Sequence, residues 1–148
     1  MAENSSLRLS PEDFEKSFEN VPRFAISLLV KNSAGQFLLT KRSIPPEKGS
    51  WHLPGSFLLK NETLSECILR IQQKELGTQT DEESTLVGLF EDVDQDPRGH
   101  VVDAIYEVKI DDLTTGQTDE SEEIRFFDSA PEGVGFNHAE YLKRLGLG

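Results

Sequence analysis

Apolar and polar positions along this chain change period several times, and each change predicts an element. Arg23 to Lys31 (RFAISLLVK) is nearly all apolar between charged ends, the pattern of a central strand covered on both faces. Asn32-Ser33-Ala34-Gly35 is a turn, and Gln36 to Arg42 is its expected hairpin partner. Ser43 to Ser50, with Pro45-Pro46 and Gly49, is a loop leading to a short strand at Trp51-His52-Leu53, which Pro54-Gly55 breaks. Thr85 to Val93 predicts a strand, 94–99 a turn and His100 to Ile110 a second strand, with Val102, Ala104, Tyr106, Val108 and Ile110 on one face. Asp111 to Glu123 has no apolar period and is expected to be a flexible loop, followed by a short strand at Ile124 to Phe127.

Three stretches carry helical spacing instead. Ser10 as N-cap, Pro11 in the first turn, Glu12 and Asp13 start a short helix to Glu19, with Phe14 and Phe18 on one face. Thr63 and Glu66 form a capping-box pair before Leu64, Cys67, Ile68 and Ile71, which recur at i, i+3, i+4, i+7. Gly77 stops that helix. Phe136 to Leu145 closes the chain, with Phe136, Ala139, Tyr141 and Leu142 expected to supply the apolar contacts. Strands on either side of a middle helix, closed by a terminal helix, predict an α/β (α+β) fold with a mixed sheet between helices. A short extension at 1–22 would precede one domain at 23–146.

Composition narrows the function. The 148 residues carry a net charge of −12, which repels nucleic acid, anionic membrane and nucleotides alike. A phosphate ligand then needs a bound cation or a local cluster of Arg. The lone Cys67 permits no internal disulfide, MAENSSLRLS has no signal-peptide run, and no apolar run reaches the length of a membrane span. A cytoplasmic location is the expectation.

Glu75 breaks the middle helix's pattern. It lies four residues past Ile71 and extends the apolar stripe with a carboxylate, which is costly out of water unless paired or metal-bound. Either the stripe frays outward there and Glu75 is solvated, or it serves a site.

The stretch Trp51 to Gly77 resembles the Nudix box of the Nudix hydrolases, G-x(5)-E-x(7)-R-E-U-x-E-E-x-G-U. Ser56 takes the first Gly, Glu62 the Glu, Arg70 the Arg, Glu75 the last Glu and Gly77 the following Gly; Trp51, Pro54 and Gly55 upstream are also typical. The resemblance implies the Nudix fold, with Glu62, Arg70 and Gly77 bracing the box. Three positions depart: Ile71 and Lys74 stand where the family has metal-binding Glu, and Thr78 where it has an aliphatic. One of three metal-facing carboxylates is kept.

Two subgroups are partly matched. Asp96-Pro97-Arg98-Gly99-His100 followed by VVDAIYEV resembles ADP-ribose pyrophosphatases, which implies Arg98 as a forked donor to phosphate. The plain alternative is a hairpin turn with Arg98 paired to Asp94 or Asp96. Lys41-Arg42 and the single box Glu resemble GDP-mannose mannosyl hydrolases. That likeness implies Arg42 on substrate and one Mg²⁺ (or Mn²⁺) held by the Gly55 carbonyl, Glu75 and, aligned on Ile124-Arg125-Phe126, Glu120. The subgroup's His base falls at Ser121, whose hydroxyl has no suitable pKa; its extra Arg falls at Phe57. Another acid of the 119–123 run could take the proton, and the alternative is a solvated acidic loop. Trp51 could stack on a base or sit at the core's rim. The expectation is a hydrolase of a nucleoside diphosphate linked to another moiety, such as ADP-ribose or GDP-mannose, with Glu75 and Glu120 as its catalytic carboxylates. The rival is a Nudix-fold module that binds a nucleotide or a protein without turnover. Dimerisation is left open.

Overall fold

The computed structural model describes residues 8–78, 80, 83–111, 113 and 121–148. Strand β1 is Arg23–Lys31, the span its apolar run predicts. It runs parallel to β6 (Val101–Lys109) along its whole length, from Arg23↔Val101 to Lys31↔Lys109. Strand β5 (Thr85–Asp92) closes that side, antiparallel to β6.

On its other side β1 forks. The expected hairpin partner β2 (Phe37–Arg42) meets β1 only at Lys31↔Phe37. Strand β4 (Gly55–Phe57) takes over that edge from Ser27↔Gly55 to Ala25↔Phe57. Strand β2 turns away to pair with β3 (Trp51–His52) and β7 (Ser121–Phe127). Gly55 is required at the fork: a Cβ there would lie 2.7 Å from the Ile26 carbonyl oxygen and 2.9 Å from Ser27 Oγ. Strand β7 also starts earlier than its apolar residues suggest, because Glu123 pairs with Lys41 and Arg125 with Leu39. The rest of the polar stretch, at 112 and 114–120, lies outside the described residues.

Alternation along β1 divides the core in two. Ile26, Leu28 and Val30 pack with Cys67, Ile68 and Ile71 of helix α2 (Leu64–Ile71). Leu29 and the β6 residue Ile105 pack with Tyr141 and Leu142 of helix α3 (His138–Arg144). Each fully buried aliphatic side chain stabilises by about 1.5–3 kcal/mol. Tyr106 and Val108 of β6, and Ile110 just past its end, face the first core as the alternation predicts. The opposite face, Val101, Asp103 and Ile105, is buried too.

The capping box on α2 forms in full, with Thr63 Oγ1 accepting from the Glu66 N–H and Glu66 Oε1 from the Thr63 N–H. Arg70 of the same helix bonds to Glu62. Past Ile71 the helix widens to a π turn, Gln72–Leu76, and Gly77 caps it in the left-handed region at φ 67°. The extra residue per turn brings Leu76 into the apolar stripe and leaves Glu75 half-buried beside it. Leu64, at the other end, is exposed.

Helix α1 (Pro11–Asn20) buries no residue fully. Phe14 and Phe18 meet edge to face and pack on Phe57, with the Arg23 guanidinium over all three rings. Helix α3 starts at His138, two residues later than expected, because Phe136 and Asn137 hold φ of 55° and 65°. Its inward face carries His138, whereas Ala139 is exposed.

Candidate active site

A cavity of about 390 Å³ opens on the α3 side of the fork. Its walls come from the start of β1, the Arg42–Pro46 segment, β4, the 92–98 turn and the residues around Phe136. These segments are distant in sequence, and the fork brings them together.

Two guanidinium groups face the cavity. Arg98 is held by Asp96, its Nε 3.0 Å from Oδ1 and its Nη2 2.8 Å from Oδ2. Asp96 also accepts the Arg98 backbone N–H and is buried. The ion pair of the plain alternative therefore forms, with Asp96 as the partner, and it fixes the guanidinium at the cavity wall. Arg42, at the end of β2, donates to the Pro45 carbonyl at 3.2 Å. Both guanidinia lie over the Phe136 ring, 5.0 Å (Arg42) and 4.8 Å (Arg98) from its centroid. A positive φ is unusual for so bulky a residue and marks strain held in place by its surroundings. Here the Phe136 N–H donates to Glu47 Oε2 at 2.6 Å.

A buried polar network lies beneath. Ser27 Oγ donates to Asp103 Oδ2 at 3.0 Å, and His138 Nε2 lies 3.4 Å from the same oxygen. The Leu53 N–H donates to His138 Nδ1 at 3.0 Å, so the ring's proton is on Nε2, facing Asp103. His52 Nδ1 lies 2.8 Å from the Leu53 carbonyl, so it carries its proton on Nδ1. Its Nε2 can then accept from the Thr40 hydroxyl at 3.3 Å. Burial, with His138 alongside, pushes the His52 imidazole down to about 3.

The box residues brace this site from the other face. Arg70 donates Nε to Glu62 Oε2 at 2.7 Å and Nη2 to Oε1 at 2.9 Å, with both side chains under 10 % exposed. It also reaches Ser56 Oγ at 2.9 Å and the Phe57 carbonyl at 3.0 Å, which ties α2 to β4 at the cavity wall. Burial alone would raise the Glu62 carboxyl, but Arg70 and the Leu59 N–H hold it below its ordinary value. Glu62 is thus spent on structure. Burial also pushes the Cys67 thiol up to about 12.

Among the other residues singled out in the sequence, Gly55, Arg42 and Arg98 line the cavity together. Glu75 stands on the π turn and is not among the lining residues. Glu120 lies outside the described residues. Trp51 packs edge to face on Phe127 at 5.0 Å with Arg125 over its ring, and is not brought to the cavity. Among the described residues, no group of three or more His, Cys, Asp or Glu side chains is placed to hold a metal ion. Gly55 lines the cavity and Glu75 stands outside its lining, so the described residues do not bring these two expected metal donors to one place.

Sequence reasoning missed Asp103, His138, His52 and Asp92, which all line the cavity. A signal for Asp103 is present in the sequence: a carboxylate inside the apolar run VVDAIYEV, a break of the same kind as Glu75. His138 carries no such signal, because it has no metal-ligand spacing to His52 or His100.

The NUDIX domain family matches residues 21–144. The chain is 29 % identical over 150 residues to the low-salt glycan biosynthesis protein Agl8 of Haloferax volcanii, covering 97 % of this chain and 95 % of that protein. It is 31 % identical over 124 residues to an ADP-ribose pyrophosphatase of Methanocaldococcus jannaschii, covering 82 % and 72 %. A MutT NUDIX hydrolase from Burkholderia pseudomallei superposes with a TM-score of 0.73 at 25 % identity, covering 85 % of this chain and 99 % of that one. With the box helix braced by Arg70–Glu62, the forked sheet and a family match over most of its length, the chain belongs to the Nudix hydrolase superfamily.

Proposed function

We propose that the protein hydrolyses a nucleoside diphosphate joined to a second moiety, with ADP-ribose the first substrate to test and GDP-mannose the second. The observation that carries this reading is the pair Arg42 and Arg98 converging on one cavity beside Gly55 in a chain of net charge −12. Two fixed guanidinia counter that field locally and suit a diphosphate. The likeness to an ADP-ribose pyrophosphatase, at 31 % identity, supports the same class.

In this reading Arg98, held by Asp96, and Arg42 bind the diphosphate oxygens and orient the reacting bond. The Phe136 ring shields the guanidinia from water. Glu75 and the Gly55 carbonyl, with Glu120 as the second carboxylate, would hold a single Mg²⁺. That ion neutralises phosphate charge when bound. Water adds at a diphosphate phosphorus and the P–O bond of the bridge breaks. ADP-ribose then gives AMP and ribose 5-phosphate. Attack at the sugar carbon of GDP-mannose would instead give GDP and mannose.

The test is incubation with Mg²⁺ or Mn²⁺ and each substrate, with products resolved by chromatography. AMP from ADP-ribose is the expected result, and Glu75→Gln is expected to abolish the metal-dependent part. Turnover unchanged in that variant would sink the Glu75 assignment. A second reading, a module that binds nucleotide without hydrolysis, is favoured by Ile71, which is packed into the core where the family has a carboxylate. Nucleotide that stabilises the protein without Mg²⁺ and survives incubation would select it.

A further inference from the structure

Two acids that line this cavity each carry a buried carboxylate oxygen with no hydrogen-bond partner among the described residues. Asp103 and Asp92 are both 3 % exposed and both line the cavity. Asp103 commits Oδ2 to Ser27 and faces His138 with it, while its Oδ1 is buried with no hydrogen-bond partner among the described residues. Asp92 repeats the arrangement. Its Oδ1 accepts the Gln95 N–H at 2.7 Å, and its Oδ2 is buried without a partner among the described residues. A buried acceptor left unmade is costly, and such groups in a native fold call for an explanation.

The strand register places the pair. Asp92 lies opposite Val101 and Phe90 opposite Asp103, so the two acids are diagonal neighbours on one face of β5 and β6. Such positions are about 7–8 Å apart, the breadth of a sugar ring or a base edge. Tyr141 of α3 lines the same cavity and stacks on Phe90, its phenol pushed up by burial and then by Asp103 and Asp92. A metal cluster does not account for the pair, since no three-residue ligand group exists among the described residues. The fold does not account for it either, because each residue's local contacts use only one oxygen.

We infer that Asp92 and Asp103 are a specificity pair, whose free oxygens accept hydrogen bonds from donors on the non-phosphate part of the ligand. The inference rests on the proposed nucleoside-diphosphate reading and deepens it. The cavity is bipolar: Arg42 and Arg98 take the anionic diphosphate, and the two acids take hydroxyl or amino groups. Such a site rejects analogues lacking those donors, because their binding leaves the carboxylates buried and unpaired. Sugar hydroxyls and a base amino group share this chemistry.

Binding to the full chain with Mg²⁺ tests the pair, read as KM for a probe that is turned over and by titration calorimetry for one that is not. Four probes are used: ADP-ribose, ADP (which lacks the sugar), inosine diphosphate ribose (which lacks the base amino group) and inorganic pyrophosphate. Wild type is expected to prefer ADP-ribose at least tenfold over ADP if the pair reads the sugar, or over inosine diphosphate ribose if it reads the base. Asp92→Asn and Asp103→Asn are expected to lose that preference and bind pyrophosphate as before. They should melt at the same or a higher temperature without ligand, since a buried charge is removed. Unliganded variants melting several degrees lower would show a structural role and overturn the inference. So would wild type binding without preference, or variants that keep it; either result leaves the proposed function standing. Wild type that binds none of the four probes overturns the proposed function, and this inference with it.

Discussion

His52 and His138 hold opposite tautomers because the backbone of one residue, Leu53, serves both. Its N–H donates to His138 Nδ1, and its carbonyl accepts from His52 Nδ1. The consequence at the residue scale is a pH dependence. The folded His52 is pushed down to about 3 from an ordinary value near 6.5, so between those values the unfolded chain binds the extra proton. Stability from this group is therefore full above pH 6.5 and falls as the pH drops toward 3. From pH 7 to 5 the loss is about 2 kcal/mol. Denaturant melts of wild type and His52→Asn should differ by that slope; parallel curves would mean His52 is not held neutral. Cys67, buried with its thiol pushed up to about 12, should react with a thiol reagent only on unfolding, and rapid labelling of the native protein would contradict its placement. Residues of this kind were hard to read from the sequence because their role depends on partners far along the chain. His138 meets Asp103, and Ser27 meets it from β1. Arg98 was legible because its partner Asp96 lies two residues away.

Elements set by local spacing were the most legible. The run Arg23–Lys31 and the Thr63–Glu66 capping box stand where their patterns placed them. Elements set by competition were not. The hairpin opens because β4 displaces β2 along β1, and the turn at Asn32–Gly35 carries no information about β4. The π turn was also hidden, since a 3.6-residue period assigned Glu75 to the stripe that Leu76 completes. Helix α2 depends on two devices of different size. Thr63→Ala removes the cap and should cost about 1 kcal/mol. Arg70→Met leaves Glu62 buried and uncompensated, and should cost about 3–5 kcal/mol. Chemical denaturation measures both. Equal costs, or a cost below that of the cap for Arg70→Met, would show that the ion pair does not tie α2 to β4.

Over the whole molecule, a fork in one sheet does what no single motif does. It separates β1 from β2, leaves a cavity lined from both arms, and brings Arg42, Gly55 and Arg98 to the same space. The box helix lies on the far face and acts through Arg70, which grips Ser56 and Phe57 of β4. In the proposed function, the overall acidity of the chain makes this local cluster of Arg the feature that would admit a phosphate ligand. The most direct measurement is the rate of ADP-ribose hydrolysis with Mg²⁺ by wild type and by Arg98→Ala. The account predicts AMP formation by wild type and a loss of ten- to a hundredfold in kcat/KM for the variant, the scale of one or two charge-assisted hydrogen bonds to phosphate. Equal kcat/KM in the two proteins would contradict the assignment of this cavity as the place where the diphosphate binds.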